Sequence, residues 1–143
     1  LGDLPGLQQA RVLLLERVAE NYLRFALQKS EDLEIQIESG RAFLRLGEVR
    51  QALYEMEAAD DAFRQGEERF RSMLKQHPEN ITIALELAAC LSKRAILNDI
   101  QGDYDDAQAF YDEVVLRLRT LVAQPDQQEA EASEVVTEES HGG

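Results

Sequence analysis

Asp99, Asp103, Asp105 and Asp106 place four carboxylates within eight residues, a density that raises the question of a calcium site. An EF-hand loop opening at Asp99 would need Gly where Tyr104 stands, for its sharp turn, and a bidentate Glu where Phe110 stands. Both positions fail, and the cluster is read as carboxylates gathered at a helix N-terminus, where the orphan N–H groups favour negative charge. His77 precedes Pro78 at the end of a helical stretch and the only other histidine is His141, so no imidazole pair is available as ligands or as an acid–base couple. Cys90 sits among Ala88, Ala89 and Leu91, which suits a small buried side chain with an unperturbed or raised pKa, and no base stands near it. Gly40, Gly47 and Gly66 are isolated singles, so neither a phosphate-cradling loop nor a dinucleotide fingerprint is present. No catalytic, cofactor-binding or metal-ligating residue is expected in this chain.

The elements that carry these residues are those of one domain. The 143 residues hold only three Pro and no Trp, and Ala, Leu, Glu, Gln and Arg, all good helix formers, dominate. One cysteine excludes an internal disulfide and fits a reducing, cytoplasmic setting. No apolar run approaches a membrane span, and the start, Leu1 rather than Met, reads as the edge of a segment cut from a longer protein. Fifteen basic side chains face 28 acidic ones, a net charge of −13, which repels phosphate backbones and anionic lipid. Six of the acids lie from Asp126 onward with no Lys or Arg; the rest of the chain carries fifteen against twenty-two, or −7. Neither nucleic acid nor a membrane is an expected partner.

Apolar residues recur at helical spacing up to Val122, and punctuation predicts five helices. The first runs over 7–28 behind Asp3-Leu4-Pro5-Gly6. The second, over 31–54, is capped by Ser30, and the third follows a break at Glu55–Glu57 and ends before His77-Pro78. Asn80 caps a fourth that stops at Gly102, and Asp103 opens a fifth that ends at Gln124-Pro125. Residues 126–143 are acidic, polar and aperiodic, and are expected to be disordered.

Shifting the sequence by 48 residues superimposes it on itself. Ala59, Phe63, Gly66, Phe70 and Met73/Leu74 fall on Ala107, Tyr111, Val114, Leu118 and Leu121/Val122. Phe43 falls on Leu91, Gly47 on Ala95, Val49 on Leu97 and Met56 on Tyr104. The opposite shift brings Leu15, Val18, Tyr22 and Phe25/Ala26 onto the same template. A fixed period of this kind signals stacked helix pairs. The organisation expected is an all-α solenoid of about five helices: an orphan second-of-pair helix (7–29), a first pair (31–78), a second pair (79–125) and the acidic tail.

Gly102-Asp103-Tyr104-Asp105-Asp106-Ala107-Gln108-Ala109-Phe110-Tyr111 resembles the turn and second helix of a tetratricopeptide repeat, and Leu46-Gly47, Ala59, Phe63 and Gly66 occupy the matching places one unit earlier. Such repeats usually span about 34 residues, so the helices here are longer, and Arg50 and Arg94 stand where the pattern prefers apolar side chains. More narrowly, Leu46-Gly47-Glu48-Val49, the 58–63 stretch and His77-Pro78 resemble the long-period repeat regions that follow the kinase domain in large bacterial Ser/Thr protein kinases. The phosphate loop, ion-paired Lys and catalytic Asp–Asn pair of a kinase are absent from this sequence.

The resemblance implies a protein-interaction scaffold, with the first helices of successive pairs lining a concave groove for a peptide. On the first of these helices the groove residues would be Arg41, Leu44, Arg45, Glu48 and Gln51. On the second they would be Ser92, Lys93, Ile96 and Asp99. Arg41 and Arg45, one turn apart and joined by Lys93, read as a basic stripe in an acidic surround, which suits an acidic or phosphorylated peptide. Two other roles remain open: self-association, with unpaired end faces meeting in a symmetric homodimer, and chaperoning of basic proteins by the acidic tail. Surface charges such as Glu67-Glu68-Arg69 and Arg117 with Arg119 are read as solvated faces.

Overall fold

The computed structural model describes residues 5–140, with side chains through Ala123. Five helices follow one another: α1 (Pro5–Ala26), α2 (Leu33–Ala52), α3 (Met56–Gln76), α4 (Ile81–Gln101) and α5 (Tyr104–Ser140), with no strand among the described residues. Asn80 starts α4, its side chain accepting from Ile83 N at 3.1 Å. For α2 the cap is Asp32 rather than Ser30. Asp32 Oδ1 accepts from Glu34 N at 2.9 Å, while Ser30 Oγ accepts from Asp32 N at 3.0 Å and fixes the turn ahead of the cap. Gly102 ends α4 with a left-handed φ of 84°, the conformation glycine adopts most readily.

The stop expected at Gln124-Pro125 does not occur, and helix replaces the disorder expected from Asp126 on: α5 continues to Ser140. Pro125 removes one backbone donor and costs about 3 kcal/mol within a helix. The run behind it, Gln127-Gln128-Glu129-Ala130-Glu131-Ala132, consists of helix formers that carry the pitch onward. His141 and the two final glycines lie outside the described residues.

The period read from the sequence is the period of the fold, since α2 and α4 start 48 residues apart, as do α3 and α5. Even the turns repeat. Tyr54, at φ 61°, occupies the place in the α2–α3 turn that Gly102 occupies in the α4–α5 turn. Each helix packs on its chain neighbours, and α2 also meets α4, so the molecule is an open stack of antiparallel helix pairs.

Close approach within the stack comes from small residues facing rings. A Cβ on Gly40 would lie 2.5 Å from Phe70 Cζ, and one on Gly47 would overlap the Phe63 ring. Both phenylalanines are fully buried, each worth about 2–3 kcal/mol of apolar burial. Ala59 and its equivalent Ala107 are 0% and 2% exposed, as expected of residues where two helices touch. One cluster, around Ala19, Ala26, Ala42, Phe43, Leu46 and Ala62, joins α1 to the first pair. A larger one, including Phe63, Phe70, Ile83, Leu87, Cys90 and Leu91, joins the pairs to each other.

Candidate peptide-binding groove

Charged side chains fasten the helices before they form any site. Glu67 is 8% exposed and accepts from Arg71 Nε at 3.0 Å and Arg94 NH1 at 3.1 Å. Arg94 also reaches Asp60 at 3.0 Å and lies 4.7 Å from the centre of the Phe110 ring. Arg71 NH2 continues to Glu113 on α5 at 2.7 Å. Hydrogen bonding to Arg71 holds the Glu113 carboxyl below its ordinary pKa, against the opposing effect of burial. Arg94 therefore departs from the repeat pattern to serve a cross-helix ion network, and Arg50 does likewise, bridging Glu16 on α1 at 3.3 Å and Glu55 at 2.9 Å. Of the Glu67-Glu68-Arg69 run, expected on a solvated face, only Glu68 is exposed. Arg69 lies over the Phe43 ring at 4.8 Å and donates to the buried Ser39 Oγ at 2.8 Å, and that hydroxyl donates to Ala26 O at 2.6 Å. Burial by its apolar neighbours, with Glu86 and Glu67 adding to it, pushes the Cys90 thiol up to about 12, so it stays protonated. Among the described residues no group of three His, Cys, Asp or Glu side chains is placed to hold a metal ion, and no helix is long and apolar enough to cross a membrane.

α2 and α4 bring four of the expected groove residues into one ion-pair ladder. Arg41 Nε donates to Glu86 on α4 at 2.6 Å and its NH1 to Glu38 at 2.7 Å. Glu48 receives Arg45 at 3.1 Å from its own helix and Lys93 at 3.3 Å from α4. The hydrogen bond that Arg41 donates to Glu86 raises the Arg41 pKa above its ordinary value, against the opposing effect of burial. Three cations thus meet three carboxylates, so the basic stripe expected from the sequence is an alternating ladder. Leu44 does not line the groove. It is 6% exposed and belongs to the core, because the residue three beyond Arg41 turns toward α3. Gln51 and Ser92 are half-buried, while Ile96 and Asp99 are exposed; none of the four joins the ladder.

The sequence reading missed Glu38 and Glu86, although the signal was there. They lie one 48-residue period apart, as do Arg45 and Lys93, so both positions keep their charge sign from one repeat to the next, whereas Arg41 and Glu48 fall on Ala89 and Ile96. It also missed the apolar half of the site. Tyr22 and Phe25 from α1 and Ile35 and Ala42 from α2 form, with Arg41 and Arg45 at the rim, an open groove of about 470 Å³. Phe25 is 59% exposed and Ile35 41%. These residues follow the same helical periodicity as the core, and the sequence alone does not say which of them has no helix to cover it.

Compared with known proteins, the chain matches no protein-family model, no curated protein and no solved structure.

Proposed function

We propose that the chain is a non-catalytic protein-interaction scaffold of tetratricopeptide type, whose α1–α2 groove takes an anionic peptide carrying an apolar anchor. The observation that supports this most is the pairing of exposed Phe25 and Ile35 with the Arg41 and Arg45 guanidinium groups at the rim of one groove. An anchor side chain covers the apolar floor, while a carboxylate or phosphate exchanges with the 68%-exposed Glu38 as the partner of Arg41. Exposed ion pairs contribute only about 0–1 kcal/mol, so the exchange is inexpensive, and Arg offers bidentate geometry to the incoming anion. The likeness to repeat regions of bacterial Ser/Thr kinases suits a module that recruits partners or substrates for a catalytic domain on the same polypeptide, and buried, unpaired Cys90 suits a cytoplasmic setting. Calorimetric titration of an acidic peptide with Leu or Phe anchors tests the proposal. The Arg41→Ala, Arg45→Ala double variant and the Phe25→Ala variant should each weaken binding about tenfold or more. Equal affinity in all three proteins would refute it.

A further inference from the structure

Among the described residues nothing covers the outer faces of α1 and α5, and the two faces differ from each other. On α1, Leu7, Leu14 and Phe25 stand seven and eleven residues apart, which places them on one side of the helix at about 100° per residue. They are 65%, 64% and 59% exposed. On α5, Tyr104, Tyr111, Val115, Leu118 and Val122 form a second stripe at spacings of seven, four, three and four, with Val122 71% exposed. It lies beside the face that Ala107, Phe110 and Val114 turn toward the body.

The charges flanking the stripes have opposite sign. α1 carries Arg11, Arg17 and Arg24 against Glu16 and Glu20, and Glu16 is already engaged by Arg50. Among the described residues none of these three arginines is in an ion pair. α5 carries Asp105, Asp106 and Asp112 against Arg119, while Glu113 is already engaged by Arg71 and Arg117. Pairing α1 with α1 would oppose arginines, and pairing α5 with α5 would oppose carboxylates. Only α1 against α5 joins both apolar stripes with complementary charge.

We infer that the α5 face of one copy docks on the α1 face of another, head to tail. Such a contact is heterologous: a pair of copies still presents one free α1 face and one free α5 face, so association continues instead of closing at a dimer. It shares Phe25 with the peptide groove and uses neither Arg41 nor Arg45, so the Arg41→Ala, Arg45→Ala variant should associate as the parent does.

Sedimentation equilibrium over a concentration series tests the inference on the 143-residue chain and two variants, Leu7→Glu with Leu14→Glu and Val115→Glu with Val122→Glu. All four positions are exposed and Glu is a good helix former, so thermal melts check that both variants remain folded. The parent's weight-average mass should climb past twice 16.2 kDa without a plateau, and added salt should weaken association several-fold. Each variant alone should stay at the monomer mass. Their mixture should form a 1:1 complex and stop there, because one contributes an intact α5 and the other an intact α1. A parent that remains monomeric, one that plateaus at a dimer still formed by either variant alone, or a mixture that forms no complex would each overturn the inference.

Discussion

Tyr54 is the one described non-glycine residue with positive φ, at 61°, and its repeat equivalent is Gly102 at 84°. A left-handed backbone costs an ordinary L-residue about 1–2 kcal/mol, and the Tyr54 ring, 83% exposed, returns little of it through packing. Tyr54→Gly should therefore stabilise the fold by about 1 kcal/mol and raise the melting temperature by several degrees, while Gly102→Val should lower it. A Tyr54→Gly protein that melts lower would mean that the ring packs against something. Gly47 makes the opposite case. Its missing side chain is the space that the Phe63 ring fills, so Gly47→Leu should cost about 3 kcal/mol or more in denaturant unfolding. The sequence marked Gly47 and Ala59 as repeat positions, and in the structure these small residues are where helices approach closely. It did not reveal the strain at Tyr54, since nothing in a tyrosine announces a left-handed turn until the period aligns it with a glycine.

Between elements, the contacts that hold the second pair on the first are mixed. Ala107 gives α5 its closest approach, and Ala107→Arg should loosen the last pair by about 3 kcal/mol or more, read as a lower, broader circular-dichroism melt. The Arg71–Glu113 bridge adds a pH dependence. The folded-state pKa of Glu113 lies below its ordinary value of 4.5, so its contribution is fully present above that value and is lost as pH falls through the depressed one. Stability should thus decline below about pH 4.5, and Glu113→Gln should remove part of that decline. An unchanged acid profile in the variant would show that the bridge contributes nothing. Helix number, order and period were legible because hydrophobic spacing and capping residues are local signals. The passage of α5 through Pro125 was not legible, because a proline reads as a stop whether or not the helix formers around it outweigh its cost.

At the scale of the molecule, an open stack buries each helix between neighbours and leaves surface of two kinds. One lies along the first-of-pair helices and the α1–α2 groove; the other lies at the ends. The sequence reading put Arg41, Arg45, Glu48 and Lys93 on one side of α2 and α4, because the repeat fixes which side they share, and the structure joins them there in ion pairs. It overestimated the positive charge of the stripe, because Glu38 one turn back on α2 and Glu86 across the α2–α4 interface neutralise Arg41, and Glu48 pairs with both Arg45 and Lys93. What makes the site a groove is the apolar floor that Tyr22 and Phe25 of α1 contribute beside Ile35 of α2. Amide chemical shifts recorded during titration with an anchored acidic peptide test this most directly. The account predicts shifts at Tyr22, Phe25, Ile35, Arg41 and Arg45 that saturate together, with those at Tyr22, Phe25 and Ile35 needing about tenfold more peptide in the Arg41→Ala, Arg45→Ala variant. Shifts confined to α5, or scattered over the surface without saturation, would contradict it.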